Sequence, residues 1–408
     1  MSRTGRIGLG TAAVAKGTES TPDPRLSGPA DDTGVTLLVD SEAFWQAVQA
    51  DLAEARDYAY FQTYSFEGDS AGKALTQELL SRQVTDRRLL IDSYTRLTQS
   101  DRWIPAPGFL FDREFRKEVR TTRHLVAALR SDGVGVRYGR AFGFMARRIL
   151  RRDHKKLILI AGRVAYIGGS NFSVLNFEWH DCMVRNEDSE VVRFLREDFL
   201  CSWEGRSERS SRRFPQRGLD LHSLPGRGNR EAFAGLVSRI EDAEHSVQVI
   251  SPYMGPPFTR HLATAVARGV KVQVINPLDN NLGYLQRYLF AEAARFGFEL
   301  HLYPDRMIHM KCMLIDDSVL VTGSSNFDLL SYHGFLAEIV AVIRSRSVID
   351  DFHRQVLEPL LAGSRPFRPG DVRGSGRLAR LWSTAAMGTA NLLARALNPP
   401  VKREPRGR

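Results

Sequence analysis

Two histidines and two lysines recur in this chain at a spacing suited to handling a phosphodiester. His154-Lys155-Lys156 runs through Leu157-Ile158-Leu159-Ile160 to Gly168-Gly169-Ser170-Asn171-Phe172. His309-Met310-Lys311 runs through Cys312-Met313-Leu314-Ile315-Asp316 to Gly323-Ser324-Ser325-Asn326-Phe327. One shift of 155 positions lays His154 on His309, Lys156 on Lys311, Gly168 on Gly323, Ser170 on Ser325, Asn171 on Asn326 and Phe172 on Phe327. Lysine supplies a point charge for phosphate oxygens, and an imidazole can attack phosphorus or move a proton. The Ser and Asn of each Gly-x-x-Asn segment can donate hydrogen bonds to the equatorial oxygens as charge builds. One histidine cannot be nucleophile and leaving-group acid at once. Two facing half-sites solve this, because one attacks while the other protonates the departing alkoxide. An attacking imidazole also needs an orienting partner on its other nitrogen. Each half offers an acid a similar distance downstream, Asp181 and Glu338.

The elements that must position these groups follow from the pattern. Side chains alternate along a strand, so each His shares a face with its Lys. The four apolar residues after each Lys do not alternate, as expected of a central strand buried on both faces. Residues 1–33, rich in Gly, Ser, Thr and Pro, read as a disordered leader. A first half spans 34–205, a basic, Ser-rich linker 206–218, a second half 219–362 and a basic tail 363–408. Strands and helices alternate in each half, with Ser41 as the expected N-cap of a helix carrying Phe44, Val48, Leu52 and Ala55. This predicts an α/β protein of two similar halves, each a mixed β-sheet flanked by helices.

Composition bounds the partners. The 408 residues are 43% hydrophobic and 25% charged, as in a globular protein with ample core. The three cysteines lack metal-ligand or disulfide-like spacing, which predicts a reducing compartment and no zinc site. A formal charge of +10 predicts an anionic partner, nucleic acid or membrane surface. From Arg365 onward there are ten Lys or Arg against two acids. No stretch approaches the roughly 20 apolar residues that span a bilayer, and no signal peptide is evident. The expected location is cytoplasmic.

The duplicated His-x-Lys-x4-Asp and Gly-x-x-Asn pattern resembles the phospholipase D superfamily. Tyr64-Ser65-Phe66-Glu67-Gly68-Asp69, Arg268-Gly269-Val270-Lys271-Val272, Ser251-Pro252-Tyr253 and Trp179-x-Asp181 resemble bacterial cardiolipin synthases, among them the shorter members without N-terminal transmembrane helices. The similarity runs from about Val35 to Leu361. It implies that the halves pack as a pseudo-twofold pair with the site between them. It also implies a covalent phosphatidyl-histidine, transfer to a second lipid's hydroxyl, and no metal or organic cofactor. By analogy His154 is the nucleophile and His309 the general acid/base, with Lys156, Lys311, Asn171, Asn326, Asp181 and Glu338 completing the machinery.

The sequence departs from that pattern once. At the acid position of the first copy stands Ala161, where the second has Asp316. Seven strand residues separate this position from the His, roughly 23 Å at about 3.3 Å each, and the odd offset points it to the opposite face. Its expected role is support of the turn Ala161-Gly162-Arg163 rather than chemistry.

Lipid is favoured over nucleic acid by two segments. Phe142 to Arg152 places Phe144 beside Arg147 and Arg148, apolar bulk with cationic flanks suited to an anionic headgroup region. Arg377 to Leu397 puts Leu378, Leu381, Trp382, Ala385, Leu392 and Leu393 largely on one helical face, too short to span but able to lie in the interface. A nuclease would favour a long basic groove with stacking aromatics, and no such interleaving occurs beyond the linker. The expected activity is cardiolipin synthesis from phosphatidylglycerol, with hydrolysis to phosphatidic acid or nuclease action as alternatives. The enzyme is expected at the inner face of the membrane, with Ser170, Ser325, Phe144, Arg147 and Arg148 on the substrate.

Overall fold

The computed structural model describes residues 34–109, 111–141, 149–206, 210–368 and 377–397. Phe144, Arg147 and Arg148, and the leader 1–33, lie outside the described residues.

The first half opens with β1 (Val35–Val39), α1 (Asp40–Glu54), β2 (Tyr58–Thr63), α2 (Ser70–Ser81) and β3 (Asp86–Asp92). A small hairpin, β4 (Thr98–Gln99) and β5 (Arg102–Trp103), precedes α3 (Arg113–Ser131) and β6 (Gly135–Gly139). Then come β7 (Arg152–Asp153), β8 (Leu157–Ile160), β9 (Val164–Gly168), α4 (Val174–Glu178), β10 (Cys182–Asn186) and α5 (Ser189–Trp203). The second half runs β11 (Ser210–Phe214), β12 (Leu219–Leu224), α6 (Asn229–Asp242), β13 (Ser246–Ile250) and α7 (Phe258–Ala267). It continues with β14 (Lys271–Pro277), α8 (Gly283–Phe296), β15 (Glu299–Tyr303), β16 (Cys312–Ile315), β17 (Val319–Gly323), α9 (Leu329–Tyr332) and β18 (Leu336–Ile343). Helices α10 (Arg346–Phe352) and α11 (Glu358–Gly363), strand β19 (Arg365–Pro366) and helix α12 (Arg377–Leu397) complete it.

The two sheets repeat one topology. Strand order is β1-β10-β9-β8-β2-β3-β6 in the first and β12-β18-β17-β16-β13-β14-β15 in the second, which adds β11 and β19 at its edges. In each path, three neighbouring strands are parallel (β2, β3, β6; β13, β14, β15) and the other neighbours antiparallel, while β7 joins the second sheet off this path, parallel to β18. The repeat seen as a 155-residue offset is therefore a duplicated fold.

The motif strands are buried on both faces, for an alternating reason. Leu157 and Leu159 meet Cys312 and Leu314 in an apolar cluster shared by the two halves. Ile158 and Ile160 face the other way into the helix-covered core of the first half, as Met313 and Ile315 do in the second.

Two expectations change. Residues 210–214, read as part of a linker, form β11, an edge strand paired antiparallel with Leu219–Leu224 of β12. Ser41 is not a cap. It sits inside the first turn of α1, and its hydroxyl donates to the Phe177 carbonyl at 2.6 Å.

Candidate active site

Short backbone pairings between the halves set the site. Arg152–Asp153 of β7 runs parallel to Leu336–Ala337 of β18, and the His154 N–H donates to the Ala337 carbonyl at 2.9 Å. The mirror-image pairing bridges Ile308 to His180, and the His309 N–H donates to the His180 carbonyl at 2.7 Å. Ala337 and His180 are the residues just before Glu338 and Asp181. Each histidine is thereby laid beside the acid of the opposite half. His154 Nδ1 lies 3.1 and 3.2 Å from the Glu338 carboxylate oxygens, and His309 Nδ1 lies 2.7 Å from Asp181 Oδ2. The sequence offered one acid per half; the fold crosses them.

The lysines sit beside their own histidines. Lys156 Nζ donates to the His154 carbonyl at 2.8 Å, and Lys311 Nζ donates to the His309 carbonyl. Both lysines, both histidines and both acids are buried. Lys155, pointing to the other face of the strand, makes a buried ion pair with Asp198 at 2.7 and 2.8 Å and donates to Ser223 of the second half at 3.0 Å. The bond to Ser223 joins the halves, on the side of the strand away from the site.

Burial and like charge decide protonation. Burial, then Lys311, pushes the His309 imidazole down to about 3, against the pull of Asp181. Burial, then Lys156, lowers His154, against Glu338. Burial likewise lowers Lys156 to about 7 and Lys311 to about 8. Burial alone would raise Asp181, but Lys311 and His309 outweigh it and hold the carboxyl below its usual range. Both imidazoles are thus neutral near pH 7. With Nδ1–H donated to a carboxylate, each keeps a lone pair on Nε2 for attack or proton transfer.

The half-sites differ in how they hold the acid. A side chain at Gly169 would place its Cβ 2.2 Å from Asp181 Oδ1, so glycine is required there. Asp181 accepts instead from the Cys182 N–H at 2.8 Å. The position matching Gly169 is Ser324, whose hydroxyl donates to Glu338 Oε2 at 2.5 Å, while the Ser331 hydroxyl donates to Oε1 at 3.1 Å. Both serines lie outside the sequence-predicted set, although Ser324 stands within Gly-x-x-Asn.

The asparagines also differ. Asn171 Oδ1 accepts from the Tyr64 and Ser65 N–H groups at 3.2 and 3.4 Å, and its Nδ2 donates to Asn176 at 2.8 Å. Phe66 bridges Phe172 as Met254 bridges Phe327, so Pro252 stands where Tyr64 does. Proline has no N–H. Among the described residues the buried Asn326 Oδ1 has no hydrogen-bond partner. Ser170 is buried, and the Ser325 hydroxyl donates to the Asn326 carbonyl at 3.1 Å.

Aromatic rings flank both histidines. Tyr64 meets His154 edge-on at 5.0 Å between centroids, and Tyr94 and Trp103 continue outward from it. Trp179 lies 4.9 Å from His309, with Tyr253 at 6.3 Å. The Tyr253 hydroxyl donates to Asn281 Oδ1 at 2.6 Å, and Asn281 Nδ2 donates to Asp101 Oδ2 at 2.9 Å, which ties the two halves together again. Glu67, Gly68 and Asp69 support this frame. Glu67 accepts from the Ser100 N–H at 3.0 Å, and Asp69 caps α2. A Cβ at Gly68 would lie 2.4 Å from Thr122 N.

Asp316 is remote from this chemistry. Its carboxylate accepts from the N–H groups of Glu244, His245 and Ser246 at 2.8–3.0 Å, binding the loop before β13 rather than its own turn. The turn-supporting role expected of this position is corrected accordingly.

Known sequences agree with the geometry. The family described as "Cardiolipin synthase, PLD-like domain" matches residues 48–203 and 236–358, more than half of the chain. The chain belongs to this family. It is 24% identical to cardiolipin synthase 1 of Staphylococcus epidermidis over 73% of its own length, spanning 62% of that protein, which is less than two thirds. It is 27% identical to cardiolipin synthase A of Pseudomonas putida over 85% of its length and 72% of that protein. The fold is that of phosphatidylserine synthase from Haemophilus influenzae, with a TM-score of 0.65 at 12% identity, covering 89% of this chain and 95% of that one.

Proposed function

We propose that this chain is a phosphatidyltransferase that makes cardiolipin from two molecules of phosphatidylglycerol and releases glycerol. The observation that carries the reading is the crossed pairing of His154 with Glu338 and His309 with Asp181. It gives one site two neutral imidazoles with oriented tautomers. Family membership and the cardiolipin synthase relatives support the lipid substrate.

In the proposed course, His154 Nε2 attacks the phosphorus of the donor lipid. His309 takes up a proton on Nε2 from solvent as the anionic donor binds; the bond from phosphorus to the glycerol oxygen then breaks, and His309 delivers that proton to the departing oxygen. The phosphatidyl group then rests on His154. A hydroxyl of the second phosphatidylglycerol gives its proton to His309 and displaces the histidine, which restores both imidazoles. Lys156 and Lys311 neutralise the phosphodiester, and its charge in turn favours the protonated forms that burial disfavours. Ser170, Ser325, Asn171 and Asn326 are assigned to the phosphate end. The chain works as a peripheral protein on the inner face of the membrane, where its formal charge of +10 suits anionic lipid. No helix among the described residues is long and apolar enough to cross a membrane.

Purified protein incubated with phosphatidylglycerol tests the reading. Cardiolipin plus glycerol is the expected product, lost in both His154→Ala and His309→Ala. Phosphatidic acid alone would replace it with hydrolysis, and cleavage of single-stranded DNA would replace it with a nuclease.

A further inference from the structure

Helix α12 is apolar on two faces. Its inner face rests on α8 and α9, where Met387 and Ala394 are 5% exposed and join an apolar cluster with Trp179, Tyr253, Met307 and Phe335. A polar pin fixes this face, since His333 Nε2 and Asn391 Oδ1 lie 2.7 Å apart, with Arg230 donating to the other ring nitrogen. The outer face is different. Trp382, Leu392, Leu393 and Leu397 are 76, 66, 57 and 63% exposed. At 100° per residue, Trp382 and Leu393 fall within about 20° of each other and about 100–140° from Met387 and Ala394, with Leu397 between the two faces. Among the described residues these are four of ten exposed large apolar side chains, and Tyr284 of α8 and Leu330 of α9 are two more. The described members of the stripe expected from the sequence, Trp382, Ala385, Leu392 and Leu393, therefore do not dock. A different face of the same helix does.

We propose that this outer face of α12 seats the enzyme on an anionic lipid bilayer, so that the His309 side of the site is held next to the membrane surface. The proposal rests on the lipid substrate argued above and specifies where that lipid's bilayer meets the protein. Two observations select a bilayer over a second copy of the chain. Residues 377–397 carry Arg377, Arg380 and Arg395 and no acid, which repels a like helix and attracts anionic headgroups. The inner face of α12 also packs in the cluster that contains Trp179, which lies 4.9 Å from His309. One helix, about 10 Å across, thus separates the bilayer face from the apolar cluster beside His309. A lipid leaving the bilayer passes from apolar surface to apolar cluster, with its phosphate arriving at the histidines.

The test compares the full chain with Trp382→Ser/Leu393→Ser/Leu397→Ser. Each is presented with vesicles of phosphatidylglycerol and phosphatidylcholine, and separately with dihexanoyl-phosphatidylglycerol below its micellar concentration. The variant is expected to lose vesicle sedimentation and vesicle turnover by tenfold or more, while turnover of the dispersed lipid stays within twofold. Unchanged vesicle sedimentation and turnover in the variant would overturn the proposal. Conversion of a dimer to a monomer without loss of vesicle binding would also overturn it and assign the face to self-association. Wild-type chain that binds vesicles through this face yet transfers no phosphatidyl group would leave the docking intact and sink the activity. Should the triple variant misfold, brominated lipid decides between insertion and its absence. It should quench the wild-type tryptophan fluorescence more than that of Trp382→Phe, and equal quenching would refute the insertion.

Discussion

His154 and Glu338 stand 184 positions apart in the chain and meet at 3.1 Å. The contact exists because β7 of one half pairs with β18 of the other, which sets His154 against the residue before Glu338. Removing the negative charge should therefore disable the histidine of the opposite half. Glu338→Gln is expected to lower cardiolipin formation by about 100-fold or more, with the fold retained, as happens when a histidine loses its orienting carboxylate. Asp181→Asn should act likewise through His309. If His154 is the nucleophile, rapid quench with labelled lipid should show phosphatidyl-enzyme forming slowly in Glu338→Gln. Wild-type rates in both variants would remove any catalytic value from the crossing.

Anion binding should be linked to protons. Lys156 and Lys311 are lowered to about 7 and 8 by burial, so at pH 8 much of their ammonium charge is absent. A phosphate analogue held between them restores it. Vanadate binding at pH 8 should take up protons and weaken as pH rises further. Calorimetry in two buffers of different ionisation enthalpy measures the uptake, and a buffer-independent heat would contradict it.

Histidine burial sets a separate stability trend. His309 titrates near 3 folded, and near its ordinary 6.5 unfolded. Between these values the unfolded chain binds the extra proton, so stability falls as pH drops from 6.5 toward 3. His154 is shifted in the same direction. The slope of melting temperature against pH over this window should flatten in His309→Gln. An unaltered slope would show that other groups govern acid unfolding.

Much of this arrangement is legible in the residues, and what is not has a physical reason. The repeat, the shared face of His and Lys, and the burial of each motif strand follow from a fixed offset and strand periodicity. The assignment of acids does not, because Asp181 and Glu338 lie 27 and 29 positions downstream of their own histidines, a similar distance, and only the pairing between halves chooses. Ser210–Phe214 reads as linker because an edge strand of Ser and Arg has little apolar signal. Helix α12 is legible as amphipathic, yet its small Ala394 and lone Met387 give no sign that they, rather than Leu392 and Leu393, meet the core. Strand parity places Asp316 away from the phosphate, but its three backbone partners belong to a loop some 70 residues earlier.

That loop supplies a stability prediction. Asp316 and Ala161 both sit in the left-handed region, at φ 49° and 51°, which Asp tolerates better than Ala. The Asp316 N–H donates to the Ser246 carbonyl and the Ala161 N–H to that of Tyr58, so the loop at Arg56–Tyr58 corresponds to the one Asp316 binds. Ala161→Asp should stabilise the protein by about 1 kcal/mol, and Asp316→Ala should cost about 1–3 kcal/mol. Turnover per folded molecule should stay within about twofold in both, since neither carboxylate reaches the phosphate. A large gain in turnover for Ala161→Asp, without stabilisation, would mean that the first half-site is held back by its missing acid.

The two asparagines should separate by experiment. Asn171 accepts from two backbone N–H groups and donates to Asn176, so Asn171→Ala strands buried partners and should cost about 2–3 kcal/mol in denaturant unfolding. Asn326 lacks one of the two equivalent donors because Pro252 replaces Tyr64, and its Oδ1 has no partner among the described residues. Asn326→Ala should therefore cost clearly less stability. If Asn326 is kept for the phosphate, its loss should appear instead as a fall in kcat of about tenfold or more. Equal destabilisation by both substitutions would mean that the duplicated asparagines are structural twins and that the proline leaves no functional asymmetry between the half-sites.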